Sequence, residues 1–385
     1  VISATAPPAP WGLLEVPSAL WHGLQAPTLT SVTMYFSFLA WIVLAAKYVP
    51  GQKAQGQPIP GSKERLWYRL NGLSLAILTW TAYFLGGFVF KVFPATIVYD
   101  NIAPLSSTVL LFVLAFSIYL YVSGLANGKG KRSGTGLLHF IEDFWAGVEL
   151  NPNLFGLDVK FLSLKVALVG WVVLNMSFAA EQIRRFGELS DGMIFYQIFA
   201  FVYSADYYYH EAAMLSTWDI ISENFGFMLV FGDYWWMWFA FSVQPHYLIT
   251  HNTKIAPAVQ IAMVIFFCLG YWIFRTANSQ KNDFKVNPNQ LIWGKAPETI
   301  NGRILVSGWW GILRKANYTG DWIIAISLSL PCGFSHLFAF LYPIYLISLD
   351  IHRAVRDDRK CSEKYKEMWV EYKKRVPYAV IPGVI

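Results

Sequence analysis

The amino-acid sequence predicts an all-α, multi-span integral membrane protein with about nine or ten transmembrane helices. Hydrophobic residues make up 55% of the 385 residues, whereas charged residues make up only 14%. A soluble domain usually carries about 25% charged residues. Many of the apolar residues also fall into runs close to the roughly 20 residues that a helix needs to cross a bilayer. We therefore expect one membrane domain rather than two soluble ones.

The predicted spans follow one another with polar loops between them. The loop 47–69 carries five basic residues and one acid, so the positive-inside rule places it in the cytoplasm. The link 93–101 carries one acid and no base, as expected of the opposite side. Residues 1–28 are rich in proline, and we expect them to form an interfacial lead-in. The predicted spans are 29–46, 70–92, 104–123, 162–178, 193–204, 225–242 and 256–274, followed by a tight apolar pair, 323–332 and 337–349.

Charge and cysteine content exclude several classes of protein. The net charge of +6 fits cytoplasmic loops that face anionic lipid, and it does not indicate a nucleic-acid partner. The three cysteines, Cys268, Cys332 and Cys361, are scattered, so they form neither a disulfide framework nor a metal-binding pattern.

The histidines do not indicate a metal centre. Seven of them are spread from His22 to His352, whereas membrane desaturases need about eight that cluster. His210-Glu211 begins an H-E-x-x-H motif, but Met214 stands at its fifth position. We therefore predict that the protein binds no metal.

A dense group of ionisable side chains lies at membrane depth between residues 201 and 219. Such groups are costly in a bilayer and are functional candidates by default. Tyr203, Asp206 and His210 have the spacing that puts them on one face of a helix. A buried Tyr–Asp network can hold a proton donor against an apolar ligand. The alternative is a structural network that satisfies the helix ends.

The segment 300–378 combines polar clusters with an apolar hairpin. Asn317-Tyr318-Thr319-Gly320-Asp321 opens the apolar run, and His352-Arg353 with Arg356-Asp357 closes it. The two ends of such a hairpin can lie side by side at one membrane surface, where they would form a polar pocket. Arginine offers planar donors to phosphate, and tryptophan and tyrosine offer flat faces to a ring.

The loop 275–315 is strongly basic. Lys281 and Lys285 are four residues apart, so one helical turn presents both ammonium groups together. One interpretation is a grip on phosphate groups, and the alternative is an ordinary positive-inside loop. No G-x-G-x-x-G motif follows a strand, which excludes a Rossmann site in this chain. The glycine-rich loop 124–136 lacks the P-loop spacing.

Several ordered motifs carry a resemblance to a known family. GWWGILRKANYTGDW (308–322) and HRAVRDDRKCSEKYKEMWVEYKKRVPY (352–378) resemble the C-terminal signature of the sterol reductases. Further matches are LNGL (70–73), GVELNP (147–152), TWDIISENFGFMLVFGD (217–233) and FRTANSQKNDFK (274–285). Together they cover roughly residues 65–385. The family includes Δ14-, Δ7- and Δ24(28)-sterol reductases and the lamin B receptor.

This resemblance implies that NADPH reduces a ring double bond of a sterol drawn from the lipid bilayer. Tyr203 would be the proton donor at the sterol end of the pocket, and Asp357 would be the second catalytic residue. Relatives mostly have arginine at Lys285 and histidine near Lys315, which puts phosphate affinity in question rather than the reaction. The implied cofactor-binding residues are Lys281, Lys285, Leu305, Trp310, Asn317, Tyr318, Arg353, Asp357, Cys361, Lys364, Tyr365 and Tyr372.

The motifs favour the C14–C15 double bond over the alternatives. FGFMLVFGD and the paired tryptophans of GWWG are most similar to Δ14-sterol reductases. FPATIVYDN and LIWGKAPETI are also similar to Δ7 reductases, and NSQKN is similar to the Δ24(28) enzyme. A non-enzymatic alternative is a structural protein like the lamin B receptor. A second enzymatic alternative, an isoprenylcysteine methyltransferase, does not explain the matches at GVELNP and NSQKNDFK.

The resemblance also implies an organisation for the chain. After the lead-in, residues 29–275 would form the sterol-binding transmembrane part, and residues 276–385 the transmembrane and NADPH-binding part. The protein would lie in the endoplasmic reticulum membrane of a eukaryote or the inner membrane of a bacterium. Its cofactor pocket would face the cytoplasm, and its partners would be sterol and membrane lipid.

Overall fold

The computed structural model describes residues 25–59 and 63–384 of the chain. These residues are mainly helical, and their paired strands form only three two-stranded antiparallel hairpins. The predicted all-α class is therefore confirmed. The predicted interfacial lead-in, residues 1–28, lies outside the described residues except for its last four.

The chain divides into two compact units, residues 1–252 and 253–385. In the first unit the elements are α1 (Leu29–Tyr48), β1 (Gln52–Pro58), β2 (Arg65–Leu70), α2 (Gly72–Phe84), α3 (Ile97–Asp100), α4 (Ile102–Ala126), α5 (Leu137–Ala146), β3 (Asn153–Leu154), β4 (Leu157–Asp158), α6 (Val159–Phe186), α7 (Asp191–Tyr209), α8 (Glu211–Met214), α9 (Trp218–Ile221), α10 (Phe227–Phe231) and α11 (Val243–Leu248). In the second unit they are α12 (Pro257–Val286), β5 (Thr299–Ile300), β6 (Ile304–Leu305), α13 (Ala316–Ser329), α14 (Leu341–Tyr365) and α15 (Glu367–Arg375).

Six helices of the described residues are long and apolar enough to cross a membrane. Five of them coincide with predicted spans, and the sixth contains the last predicted apolar run. The chain is therefore a multi-pass membrane protein. The six are Leu29–Tyr48, Gly72–Val89, Ile102–Ala126, Val159–Phe186, Pro257–Val286 and Leu337–Tyr365.

The other predicted spans are also helical, but they are short, polar or interrupted. Helix α7 has 19 residues and contains the predicted run 193–204. The predicted run 225–242 is not one α-helix, because α10 passes into a nine-residue π-helical segment, Gly232–Ala240. π-Helical turns are frequently found at functional sites. The run 323–332 ends in a short 3₁₀ turn at Leu330–Cys332 that contains Pro331.

Helix α6 is the central helix of the first unit. In its most apolar stretch 83% of the residues are buried, compared with 22–33% in the other five candidate spans. Gly170 allows the Trp238 ring to lie against this helix, because a Cβ atom at this position would come within 2.1 Å of that ring. The Trp238 indole then donates to the Ala167 carbonyl at 3.0 Å. The close packing fixes the π-helical segment against α6.

Two glycines bring α12 and α13 together in the second unit. A Cβ atom at Gly320 would lie 2.5 Å from the Phe274 nitrogen and 2.7 Å from the Gly270 carbonyl oxygen. Small residues at such a crossing let two helix backbones approach closely. The start of α13 is consequently held against α12, the helix that carries Lys281 and Lys285.

Candidate functional site

The basic end of α12 lies against an indole ring. The Lys281 ammonium stands 4.4 Å from the centre of the Trp310 ring, a cation–π contact. The Trp310 indole nitrogen donates to the Ala277 carbonyl at 2.8 Å, which fixes the ring in place. Lys285 follows one helical turn after Lys281 in α12. One of the two sequence-predicted ammonium groups, that of Lys281, therefore lies beside an aromatic face.

Two apolar clusters support this face. Leu305 and Trp310 are buried together with Phe284 and Ile292. A second buried cluster is formed by Ile300, Ile304, Trp369, Tyr372 and Val376, and both Cys361 and Tyr365 pack against it. The Tyr372 hydroxyl donates to the Trp310 carbonyl at 2.9 Å and so links the two clusters. Burial raises the pKa of Tyr372, so its phenol stays protonated and can keep this bond.

An ion pair joins the two ends of the apolar hairpin. The Lys315 ammonium contacts the Asp357 carboxylate, although 42 residues separate them. Burial and the positive charge of Lys281 lower the pKa of Lys315 to about 8, whereas contact with Asp357 favours its cationic form. The predicted side-by-side placement of the two ends is confirmed by this contact. Sequence reasoning did not include Lys315 among the cofactor-binding residues, although it directly precedes the Ala-Asn-Tyr motif.

Asn317 presents an acceptor without a donor. Its side-chain oxygen is buried and accepts no hydrogen bond from any residue that the structure describes. Leaving a buried polar atom unsatisfied costs about 1–3 kcal/mol, so such an atom calls for an explanation. The neighbouring Tyr318 ring lies 6.0 Å from the Lys315 ammonium. This corner of the second unit is suited to a ligand that carries both an anionic group and a hydrogen-bond donor.

Two of the implied cofactor-binding residues, Lys364 and Arg353, have surroundings unlike those of Lys281 and Trp310. Lys364 is exposed, and its ammonium lies 5.0 Å from the centre of the neighbouring Tyr365 ring. Arg353 lies in α14, as Asp357 does. Its positive charge interacts electrostatically with two other carboxyl groups, those of Asp321 and Asp350. Sequence reasoning missed this pair of acids as a unit. The available signal was their position, since each stands at a polar end of the apolar hairpin.

The C-terminal tail closes over the start of α13. Five consecutive carbonyls, from residue 376 to residue 380, accept hydrogen bonds from Arg314, Lys315 and Thr319. The Arg314 guanidinium binds the first two, at 2.7 and 2.6 Å. The backbone amides of Arg314 and Lys315 bind the next two, at 3.0 and 2.8 Å. The tail therefore holds Lys315 in place through the main chain.

In the first unit Tyr203 lies on α7 against the core helix. Its half-buried ring meets the Trp171 ring edge to face, with centroids 6.2 Å apart. Asp206 and His210 contact each other at 3.2 Å, as their predicted common face requires. Tyr207 lies close enough to Tyr203 and Asp233 for their charges to interact. The candidate donor thus has a firm aromatic support and polar neighbours.

Sequence reasoning missed two buried lysines of α6. Lys165 forms an ion pair with Glu211 at 3.1 Å and also donates to the Asn71 side chain at 2.6 Å. Lys160 donates to the carbonyls of Ile220 and Glu223 at 2.9 and 2.8 Å. The sequence did indicate that these two lysines need partners, because each lies beside or within an apolar run, where burying an unpaired charge is costly. Among the described residues no group of three or more His, Cys, Asp or Glu is placed to hold a metal ion.

The fold and the site define a multi-pass helical membrane protein with a cationic, aromatic cluster in its C-terminal unit. The model of the family described as "Ergosterol biosynthesis ERG4/ERG24 family" matches residues 12–385. The chain belongs to this family, which confirms the resemblance stated from the motifs.

Three curated relatives are similar to this chain over most of its length. A "Delta(14)-sterol reductase" of Arabidopsis thaliana is 40% identical over 94% of this chain and 98% of its own length. A "Delta(14)-sterol reductase LBR" of Gallus gallus is 38% identical over 89% of this chain and 55% of its own length. A "7-dehydrocholesterol reductase" of Xenopus laevis is 31% identical over 95% of this chain and 83% of its own length.

Proposed function

We propose that this protein is an NADPH-dependent sterol reductase that saturates the C14–C15 double bond of a sterol ring. The observation that carries the proposal is the 40% identity to a Delta(14)-sterol reductase over nearly the full length of both chains. The Gallus relative, similar to the lamin B receptor of our non-enzymatic alternative, is itself named a reductase. That name favours an enzyme over a purely structural protein.

The C-terminal cluster is chemically suited to NADPH. Lys281, Lys285 and Lys315 would bind its phosphates, and the free oxygen of Asn317 would accept from a hydroxyl or amide of the cofactor. The Trp310 ring, which lies beside Lys281, and the Tyr372 phenol, which donates to the Trp310 carbonyl, would be aromatic groups of the same site. When bound, NADPH would supply a hydride and be released as NADP⁺.

The proton would come from the protein. An isolated double bond is a poor hydride acceptor until it is protonated, after which the ring carbon carries a positive charge. Tyr203 would donate that proton from its hydroxyl, because a phenol with a pKa near 10 is protonated at neutral pH. The sterol gains one proton and one hydride, so the double bond becomes a single bond. Asp206 and His210 would fix the direction of the hydrogen bonds around Tyr203.

Product analysis tests this proposal directly. The purified protein is incubated with NADPH and a mixture of Δ14 and Δ7 sterol dienes, and the sterols are identified by mass spectrometry. We expect loss of the C14–C15 double bond. The second candidate is Δ7 reduction, which the 31% identity to a 7-dehydrocholesterol reductase favours. Consumption of the Δ7 diene alone would replace the first proposal with the second.

The proposal also covers the membrane in which the protein lies and the parts of the chain that bind the sterol and NADPH. The protein would reside in the endoplasmic reticulum membrane of a eukaryote or the inner membrane of a bacterium, with its cofactor cluster on the cytoplasmic side. Residues 29–275 would contact the sterol drawn from the bilayer, and residues 276–385 would bind NADPH. The basic loop 47–69 supports this orientation under the positive-inside rule.

Replacing Lys281 with alanine should raise the KM for NADPH roughly tenfold or more, because the variant loses a charged contact worth about 1.5–3 kcal/mol. The KM for NADH should change less, since NADH lacks the 2′-phosphate. Steady-state kinetics with both cofactors measure the effect, and Lys295→Ala, at an exposed lysine of the same unit, is the matched control. Equal turnover of NADH and NADPH by the unmodified protein would contradict the phosphate-binding role.

NADPH affinity should fall as the pH rises through 8. The pKa of Lys315 lies below its ordinary value of 10.5, at about 8, so its positive charge is present below that pH and lost above it. We expect the KM for NADPH to rise roughly tenfold between about pH 7 and pH 9. Lys315→Arg keeps its charge over this range and should make the rise in KM smaller. An unchanged profile in that variant would show that another group titrates.

A further inference from the structure

A cavity of about 770 Å³ lies in the first unit, and none of its lining residues is among those proposed above. It is located where helices end: Ala46 and Lys47 are in the last turn of α1, and Asp158 is the N-cap of α6. Both helices are candidate spans, so the cavity opens at the level of the membrane boundary. Lys165 lies about 9 Å along α6 from its first residue, so the cavity reaches toward the bilayer interior.

The lining of this cavity is strongly cationic. It contains Lys47, Lys53, Arg69 and Lys165, but only one carboxylate, that of Asp158. Lys165 is already paired with a carboxylate. The other three form no ion pair with any carboxylate that the structure describes, and Arg69 donates to the Lys47 carbonyl at 2.7 Å.

The single carboxylate is engaged by other donors. Asp158 accepts hydrogen bonds from the Tyr68 hydroxyl at 3.1 Å, the Asn151 amide at 2.9 Å and the Phe161 backbone at 2.9 Å. Its charge therefore caps α6 and orders the β3–β4 hairpin. The cavity as a whole retains an excess of positive charge, which an anion would neutralise.

Exposed aromatic rings border the same cavity. Phe155 is 75% exposed and Trp67 is 65% exposed, and both line it. Phe155 and Gly156 form the two-residue loop of the β3–β4 hairpin, with φ angles of +56° and +80°. Such loops ordinarily use Asn-Gly, because a bulky residue at positive φ is strained. The fold therefore holds a large apolar ring at the rim of a cationic cavity.

We propose that this cavity binds an anionic phospholipid, with its phosphate among Lys47, Lys53 and Arg69 and its acyl chains passing Phe155 and Trp67. The combination of uncompensated cations with exposed rings at the membrane boundary fits an amphiphile better than a free anion. A lipid at this place would tie the β1–β2 hairpin to the ends of α1 and α6. The proposal does not depend on the reaction that the protein catalyses.

Native mass spectrometry and thermal unfolding of the whole chain test the proposal. The protein is purified in phosphatidylcholine nanodiscs and titrated with phosphatidylglycerol. Lys47→Gln/Lys53→Gln should weaken phosphatidylglycerol binding at least roughly tenfold, about 1.4 kcal/mol. Lys129→Gln/Lys131→Gln removes the same charge at exposed sites outside the cavity and should leave binding unchanged. If the first variant unfolds in phosphatidylcholine, the single change Lys53→Gln at an exposed lysine replaces it.

A third variant separates a lipid from a free phosphate. Phe155→Asn keeps a residue suited to positive φ but removes the ring, so it should weaken phosphatidylglycerol binding. Inorganic phosphate at millimolar concentration should neither displace the lipid nor raise the Tm. Equal losses in the two double lysine variants would overturn the proposal in favour of general surface charge. Displacement by phosphate, with no effect of Phe155→Asn, would overturn it in favour of a soluble anion.

Discussion

Replacing Tyr203 with phenylalanine should lower kcat by roughly 10²–10⁴-fold, the usual contribution of general acid catalysis. The change removes only the hydroxyl, so the ring keeps its edge-to-face contact with Trp171. The KM for NADPH should stay close to that of the unmodified protein, because the proposed cofactor residues all lie in the second unit. Single-turnover kinetics with NADPH oxidation as the readout measure the loss.

The control for this prediction is on the same helix. Tyr209 is 73% exposed near the end of α7, and Tyr209→Phe should retain full turnover. A solvent isotope effect should accompany the unmodified enzyme if proton transfer limits the rate. Near-normal turnover by Tyr203→Phe would remove this residue from the mechanism and direct attention to Tyr207, His210 and Asp357.

Replacing Asp357 with alanine should abolish measurable turnover, with a loss of at least roughly 10²-fold in kcat/KM. The variant loses a proposed catalytic carboxylate and also leaves the buried Lys315 ammonium without its partner. It should still be extracted as a folded, monodisperse protein, because Asp357 is partly exposed and belongs to neither apolar cluster. Loss of the folded protein together with activity would indicate a purely structural role.

A second substitution distinguishes the two contributions of Asp357. If its only role were to pair with Lys315, the double variant Asp357→Ala/Lys315→Met would have the same kcat at saturating NADPH as Lys315→Met alone. We expect the double variant to stay inactive. Glu363→Ala removes an exposed acid from the same helix and should leave turnover unchanged, which controls for the change in net charge.

The membrane spans were predictable because a helix that crosses a bilayer needs a long, continuous run of apolar residues. The runs at α1, α2, α4, α6 and α12 are of this kind. The π-helical segment was not predictable, since its aromatic residues are as apolar as those of a regular span. The packing of Trp238, which belongs to this segment, against Gly170 of α6 is revealed only by the three-dimensional arrangement.

The candidate site was predictable in its residue types but not in its pairings. The motifs indicated Lys281, Trp310 and Asp357, because these residues match positions in the motifs of the family that the chain resembles. The partner of Asp357 lies 42 residues away, and no local spacing encodes a contact at that separation. The buried ion pair between Lys165 and Glu211 was missed for the same reason. Each of these charges needs a partner, but the sequence alone does not say which.

The closure of the tail over α13 implies an unusual pattern of tolerance to mutation. The five carbonyls from residue 376 to residue 380 belong to the main chain of the tail, so its side chains other than the buried Val376 and Val380 can be exchanged without breaking these bonds. A deletion is different, because a residue spans up to about 3.3 Å, so removing one residue from the tail shifts later carbonyls by as much as that distance. That shift exceeds the range of a hydrogen bond. The length of the segment 376–380 is therefore under stricter constraint than its composition.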